Sequence, residues 1–212
     1  MRLGSDAAFA PGADASAYKA SALHDPARDW PQTNCYADLW IEAIHARGLP
    51  PQAMLGFTTT LDFEGDQFTF FKPPLEDIEA LYGFIVHELS LYDDLAGHIE
   101  EQCARARLVM VEIDAFHLPD TRGISYRTES SKTTIGVNRI DRRGRTIDYF
   151  HNEGFFRAEA EDYDGLMAFG AQDGRQKLPP YAEIVKADSP ALDVRAMRSS
   201  ARGLLARQQE LE

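Results

Sequence analysis

The apolar positions after residue 33 recur at the spacing of an amphipathic helix. They fall along one side of that helix and are Tyr36, Leu39, Trp40, Ala43 and Ile44. Thr33 or Asn34 can cap the first turn, while Gly48 and Pro50 end the helix. The pattern therefore predicts a helix that opens at Cys35, one of the two cysteines of the chain.

The rest of the chain predicts more helices and then mainly strands. Helical patterns cover residues 74–84 and 93–107. Alternating or wholly apolar runs predict strands at 85–91 and 108–116, and a hairpin at 132–152 follows an irregular loop. This order is typical of an α+β protein and not of alternating β-α-β units.

The composition divides the chain into three parts. Residues 1–28 are rich in Ala, Ser, Asp and Gly without periodicity, which predicts a mobile leader. Residues 29–187 carry the patterned elements and form one predicted α+β domain. Residues 188–212 predict an amphipathic helix that packs back on the domain, begins a longer helical region or contacts a partner.

Charge and hydropathy exclude several classes of protein. The chain has 212 residues and a formal charge of −12, which argues against nucleic-acid and anionic membrane partners. No apolar run approaches the roughly 18 to 20 residues that span a bilayer. The N-terminus lacks the apolar segment of a signal peptide, so we expect a cytoplasmic protein with free thiols. We expect no metal, because the spacing of the candidate ligands matches no strong signature: Asp114, His117 and Asp120.

A cysteine at a helix N-terminus is suited to nucleophilic catalysis. The partial positive charge and the free N–H groups of the first turn stabilise a thiolate. The same N–H groups, with an amide from Asn34 or Gln32, can bind the oxyanion of a tetrahedral intermediate. The alternative is that Cys35 is a small buried apolar residue, which is the commoner role of such a cysteine.

Several stretches resemble a known group of cysteine enzymes. The similarity lies in TNCYADLW, VEIDAFHLPDTRGISY and KTTIGVNRIDRRGRTIDYF. These resemble the papain-like fold of bacterial cysteine peptidases and butirosin-type acyltransferases. The resemblance implies an N-terminal helix carrying the cysteine, followed by helices and an antiparallel sheet. It also implies acyl transfer through a cysteine thioester, with a histidine as base and an acid or amide that orients it.

A closer resemblance lies in LDFEGDQFTFFKPP, SKTTIGVNRID and YFHNEGFF. These stretches are similar to an uncharacterised domain family associated with genes for amino acid:carrier-protein ligases, over residues 28–186. In butirosin-type enzymes the acyl donor is a carrier-protein thioester. The resemblance therefore implies an acyl or aminoacyl carrier protein, or its ligase, as partner. It implies the phosphopantetheine arm as substrate and no separate cofactor.

The match to the catalytic residues of the papain-like group is incomplete. Cys35 occupies the nucleophile position, but Lys132, Thr133 and Thr134 stand where the group has its histidine. His151 stands near the end of the second strand of the hairpin, where the group has its orienting acid. The histidine has therefore moved to the neighbouring strand.

The predicted hairpin register brings this histidine back toward the site. A turn centred on residues 142–143 places Thr134 opposite His151, on one face with Tyr149 and Lys132. His151 is then the expected general base, and Lys132 and Thr134 line the substrate site. The candidates for orienting the histidine are Asp148, Asn152 and Asp114.

Two charged segments are candidates for contacts with substrate and partner. Around a turn at Gly65, phenylalanines alternate with the acids Asp62, Glu64 and Asp66. The segment is either a hairpin whose aromatics enter the core or an anionic rim that binds the ammonium of an aminoacyl group. The hairpin turn carries Arg139, Arg142, Arg143 and Arg145. It either attracts an acidic carrier protein or keeps an edge soluble.

The sequence as a whole predicts cysteine-dependent acyl or aminoacyl transfer from a carrier-protein thioester through Cys35. A peptidase or amidase of the same fold is one alternative. The other alternative is a non-catalytic papain-like module that recognises a charged carrier or its ligase. Lys132 and Thr133 at the usual histidine position favour this second alternative.

Overall fold

An antiparallel sheet forms the middle of the protein. The computed structural model describes residues 8–27, 34–69, 72–168 and 180–210. Within these ranges the strands are β1 (Ile85–Glu88), β2 (Leu108–Asp114), β3 (Lys132–Asp141), β4 (Thr146–His151), β5 (Gly154–Glu159) and β6 (Ala182–Lys186). Their spatial order is β1-β6-β2-β3-β4-β5, and neighbouring strands are antiparallel.

Helices cover both faces of this sheet. They are α1 (Cys35–Ala46), α2 (Leu75–Tyr82), α3 (Leu95–Cys103), α4 (Ala160–Met167) and α5 (Val194–Gln209). α1 and α2 pack on the sheet face that carries Met110 and Phe150, and α3 and α4 pack on the face of Val111 and Tyr149. The α+β class predicted from the sequence is confirmed. In the part of the chain described, no helix is long and apolar enough to cross a membrane.

Capping and burial hold α1 in place. The Asn34 Oδ1 accepts a hydrogen bond from the Ala37 N–H at 3.0 Å, as an N-cap residue does. Every side chain from residue 36 to residue 44 is buried. Gly136 of β3 permits the close packing, because a Cβ there would lie 3.2 Å from Leu39 Cδ2. The first residues of α1 are therefore fixed relative to β3.

Residues 8–27 pack against the domain, which differs from the predicted mobile leader. Phe9 is fully buried. His24 is buried beside two carboxylates of α1, with its Nδ1 2.5 Å from Glu42 Oε1 and its Nε2 3.3 Å from Asp38 Oδ1. Polar contacts of this kind produce no hydrophobic period in the sequence. The hydrophobic pattern therefore does not indicate that residues 8–27 pack against the domain.

The loop of the β3–β4 hairpin is longer than predicted. Asp141 pairs with Thr146, which places residues 142–145 in the loop. The Asp141 Oδ1 accepts hydrogen bonds from the N–H groups of Arg143 and Gly144 at 3.0 and 2.9 Å. The turn closes around this carboxylate with four loop residues, so the predicted turn centred on residues 142–143 is wrong.

A bulge at Asn138 shifts the register back by one residue, which leaves it one residue from the predicted pairing. The Asn138 side chain turns inward and exchanges two hydrogen bonds with the backbone of Ala10. Because side chains alternate along a strand, His151 lies with Tyr149 on the face covered by α3 and α4. Thr134 lies on the other face, under α1, so the predicted contact between Thr134 and His151 is wrong.

α5 packs back on the domain. Met197 is buried, and a Cβ on Gly56 would lie 3.3 Å from Leu205 Cβ. The Gln208 Nε2 donates a hydrogen bond to Asp77 Oδ2 of α2 at 2.8 Å. Of the arrangements that the sequence leaves open, the structure thus has the helix packed on the domain.

Candidate functional site

A cavity opens beside the N-terminus of α1, where β2 ends and β3 begins. Its volume is about 310 Å³. It is lined by Cys35, Tyr36, Lys72, Met110, Glu112, Lys132, Thr133, Thr134, Tyr181 and Glu183. The predicted nucleophile and two of the predicted substrate-binding residues, Lys132 and Thr134, therefore share one cavity.

Cys35 is accessible, whereas the other cysteine is not. Cys35 is partly exposed, while Cys103 is buried and its thiol lies 3.6 Å from Val137 O. Burial raises the pKa of Cys103 to about 12, so this residue stays a thiol at neutral pH. Cys35 is the first residue of α1, where the helix dipole favours negative charge. In the described ranges the Cys35 thiol has no hydrogen-bond partner.

Lysine side chains bring positive charge to the cavity. The Lys132 Nζ lies 3.0 Å from Glu112 Oε1. The Lys72 Nζ lies 4.4 Å from the centre of the Tyr36 ring, a cation–π contact. No carboxylate lies within ion-pair distance of Lys72 among the residues that the structure describes. Lys72 is therefore the cation available to an anionic ligand group.

A buried glutamate fixes the rings that Lys72 contacts. The Glu183 carboxylate accepts O–H hydrogen bonds from Tyr36 at 2.8 Å and from Tyr181 at 2.6 Å. Burial, and then the nearby Glu183 carboxylate, raises the pKa of both tyrosines. Both phenols therefore remain protonated donors at neutral pH.

His151 lies on the other face of the sheet and does not line this cavity. Its side chain is only 2% exposed, and both ring nitrogens have partners. The Nδ1 lies 2.6 Å from Asp120 Oδ2, and the Nε2 lies 2.8 Å from Thr133 Oγ1. Thr133 is also among the residues that line the cavity, but its side chain lies on the face of His151, because side chains alternate along β3.

Asp120 orients His151, and sequence analysis missed this role. Asp120 lies in a single 3-10 turn, Pro119–Thr121, inside a loop without periodicity. No hydrophobic pattern indicates where such a side chain points. The other oxygen of Asp120 accepts the Tyr149 O–H at 2.5 Å. Burial, and then the charge of Asp120, raises the pKa of Tyr149, so its phenol stays a donor.

The three predicted orienters have other roles. Asp148 forms an ion pair with Arg157, with 2.6 Å between Oδ1 and Nε. The Asp114 Oδ1 accepts the Phe116 N–H at 3.0 Å and caps a 3-10 turn. Asn152 has a φ of 45° in the tight turn between β4 and β5, a conformation that asparagine tolerates. None of the three orients the predicted base.

The predicted oxyanion donors contribute less than expected. Asn34 is buried, and its Oδ1 is engaged as the cap of α1. Gln32 lies outside the described residues. The backbone N–H of Cys35 has no acceptor in the described part of the chain, so it remains available to an oxyanion.

The acidic segment before α2 forms a small hairpin. Phe63 and Phe68 form a β-bridge around Gly65, and their rings lie 5.2 Å apart. These two side chains are 53% and 67% exposed, so the prediction that the aromatics enter the core is wrong for this pair. The cavity lining in the described residues does not include the hairpin acids Asp62, Glu64 and Asp66.

The arginine-rich turn lies at the opposite end of β3 from the cavity. β3 has 10 residues, and since a strand rises ~3.3 Å per residue the turn is roughly 30 Å from Lys132. Three arginines of this segment form the ion pairs Arg139–Asp148, Arg142–Asp94 and Arg145–Asp164. The turn therefore does not border the cavity, and the attraction of a carrier protein to it stays a prediction.

A second cavity, of about 610 Å³, lies on the other side of Lys132. Its lining includes Asp114 and His117. The His117 Nδ1 is buried without a hydrogen-bond partner among the described side chains. No cluster of three or more His, Cys, Asp or Glu residues in the described ranges could hold a metal ion.

The fold and the cavity define a mixed α+β protein with an accessible cysteine at a helix start. A family model described as the DUF1839 N-terminal domain matches residues 19–187. The chain therefore belongs to this domain family of unknown function. No curated protein matches the chain.

Proposed function

We propose that the protein accepts an acyl group from a thioester and carries it on Cys35. The observation that supports this proposal is a partly exposed thiol at the first residue of α1, in a cavity with Lys72 and Lys132. A helix N-terminus presents free N–H groups to a reacting thiol, and a cysteine reacts as its thiolate. The papain-like resemblance points to the same residue as nucleophile.

The lining of the cavity favours a thioester over a peptide as the acyl donor. No histidine lines the cavity in the described part of the chain. In thioester exchange one thiolate attacks and another leaves, so the leaving group needs no proton. A peptidase must protonate a leaving amine, a step that histidine normally performs. The peptidase or amidase alternative is therefore disfavoured.

The proposed reaction begins with attack of the Cys35 thiolate on the thioester carbonyl carbon. The backbone N–H of Cys35 stabilises the oxyanion, and the donor leaves as a thiolate when its C–S bond breaks. Lys72 pairs with an anionic group of the donor. By the resemblance to carrier-linked families, the donor is an acyl or aminoacyl carrier protein with its phosphopantetheine arm.

The mass of the intact protein tests this proposal. Wild-type protein is incubated with an aminoacyl-pantetheine thioester, and the adduct is measured by mass spectrometry. We expect the mass to rise by one aminoacyl group in wild type and in the Cys103→Ser control, and to stay unchanged in Cys35→Ser. An adduct that persists in Cys35→Ser, or that maps to Cys103, would contradict the proposal.

A non-catalytic binding module is the second candidate, and the position of His151 favours it. The histidine faces away from Cys35, and both of its ring nitrogens are engaged. A module of this kind binds a loaded carrier and forms no adduct. Calorimetric titration with an aminoacyl carrier protein separates the two functions. Equal affinity of wild type and Cys35→Ala, with no mass change in either protein, would support the module.

A further inference from the structure

We propose that Thr133 is a second nucleophile, activated by His151 and Asp120, and that it reacts with activated esters or thioesters. The proposal does not depend on the function of Cys35. It rests on a chain of three side chains that runs from a buried carboxylate to the hydroxyl of a partly exposed threonine.

The three groups lie at hydrogen-bonding distance from one another. The Thr133 Oγ1 is 2.8 Å from His151 Nε2, and the His151 Nδ1 is 2.6 Å from Asp120 Oδ2. Nucleophile and base within about 2.6–3.2 Å, with the base held by a third group, is the arrangement that activates a hydroxyl. Such triads are recognised by geometry and not by sequence order.

The chemistry of the groups fixes the direction of the hydrogen bonds in the neutral imidazole. A carboxylate only accepts, so the His151 Nδ1 carries the proton that Asp120 binds. The Nε2 then has a lone pair, and the Thr133 O–H must donate to it. This is the tautomer in which histidine can remove the hydroxyl proton.

The surroundings hold the imidazole in this orientation. The side chains of His151 and Asp120 are 2% and 5% exposed. The Tyr149 O–H donates to the second oxygen of Asp120, which keeps the carboxylate from turning away. Thr133 itself is partly exposed and lines the cavity of Cys35. Thr133 is therefore the member of this chain of groups that we expect to meet a ligand, since the side chains of His151 and Asp120 are closed off.

The reaction step balances without an added oxidant or reductant. The Thr133 Oγ1 forms a bond to the acyl carbon while its proton moves to the His151 Nε2. The bond from that carbon to the leaving oxygen or sulfur breaks, and the proton passes to the leaving group. The product is an ester on Thr133. Asp120 is a positioning residue, since it acts only through the imidazole.

A fluorophosphonate probe tests the proposal, because it phosphonylates activated hydroxyls and releases fluoride. We expect one adduct on Thr133 in wild type and in Cys35→Ala, located by peptide mass spectrometry. Thr133→Val, which keeps the shape, should lose it, and Thr133→Ser should keep it. Thr146→Val, in the same sheet at the arginine-rich end, is the matched control and should label like wild type.

The role of the positioning residue is tested by rate and by pH profile. Asp120→Asn should slow labelling by a factor on the order of 10² or more, because the amide also favours the wrong tautomer. The pH profile of the labelling rate should differ between wild type and His151→Gln, whose amide cannot accept the hydroxyl proton. Circular dichroism checks that each variant is folded.

The alternative is that the hydrogen bonds of Thr133, His151 and Asp120 only anchor the Pro119–Thr121 turn to the sheet. In that case the probe should not label Thr133. Folded wild-type protein without an adduct at Thr133 would overturn the proposal. Equal labelling rates of wild type and a folded Asp120→Asn variant would overturn it as well. If neither the Asp120 nor the His151 variant folds, the comparison of Thr133→Val with Thr133→Ser still decides the outcome. Loss of cysteine acylation in Cys35→Ser leaves this result unaffected.

Discussion

At the residue scale, the buried His24 makes the stability of the protein depend on pH. Burial alone lowers the pKa of His24, but hydrogen bonds to Asp38 and Glu42 and their charges outweigh burial and raise it to about 9. The ordinary value is 6.5. A raised folded-state pKa stabilises the fold fully below the unfolded pKa, and this contribution is lost as the pH rises through about 9.

We therefore expect the urea concentration at the midpoint of unfolding to decrease as the pH is raised from about 7 to about 10. The fall should be much smaller in His24→Gln, whose amide does not titrate. His87→Gln replaces an exposed histidine of β1 and is the matched control, so it should follow wild type. Parallel curves for wild type and His24→Gln would show that His24 is not the titrating group.

Single residues also mark the limit of sequence reasoning at the site. Cys35 was accessible to prediction because a cap, an apolar period and a glycine stop define its helix. Asp120 could not be predicted in the same way. Its turn has no hydrophobic period, and its partner His151 is 31 positions away in the chain. The contact between them depends on the tertiary path of the loop, which one sequence does not specify.

At the element scale, the β3–β4 hairpin shows that a pattern predicts strands better than it predicts their register. Both strands were recognisable from their apolar residues. Their pairing depends on the Asp141 carboxylate in the loop and on the Asn138 bulge, which binds the N-terminal segment. A shift of one residue exchanges the faces of a strand. It moves His151 away from the face of Cys35.

The arginine turn of this hairpin anchors α3. The Arg142 Nη2 lies 2.9 Å from Asp94 Oδ2, and Asp94 also caps α3 through the Gly97 N–H at 3.1 Å. Arg142→Glu would place like charges together and should lower the free energy of unfolding by ~0.5–1 kcal/mol, as expected for an exposed pair. Arg143 forms no ion pair in the described ranges, so Arg143→Glu is the control.

Urea unfolding at low and high salt measures this difference. The loss in Arg142→Glu should shrink at 1 M salt, because exposed charges are screened there. Equal stability of the Arg142 and Arg143 variants at low salt would rule out the anchoring role. Since neither change lies near the cavity, acylation of Cys35 should remain at the wild-type rate in both variants.

At the scale of the whole molecule, the sheet separates two sets of reactive groups. Cys35 and the lysines lie on the α1 face, and the His151–Asp120 pair lies under α3 and α4. Thr133 lies between the two sets: its hydroxyl bonds the imidazole on the second face, and the residue is also among those that line the cavity. The sequence predicted Cys35, Lys132 and His151, but it indicated neither Lys72 nor the role of Asp120. The second set arises from the bulge and the loop, which only the folded chain reveals.

The shared cavity predicts that chemistry at Cys35 controls access to Thr133. N-ethylmaleimide should alkylate the partly exposed Cys35 and leave the buried Cys103, with its raised pKa, unmodified at neutral pH. The attached ring would occupy part of a cavity of about 310 Å³. We expect fluorophosphonate labelling of Thr133 to fall at least tenfold after alkylation of wild type, and to stay unchanged in similarly treated Cys35→Ala. Full labelling of Thr133 in alkylated wild type would mean that the two nucleophiles are reached by separate routes.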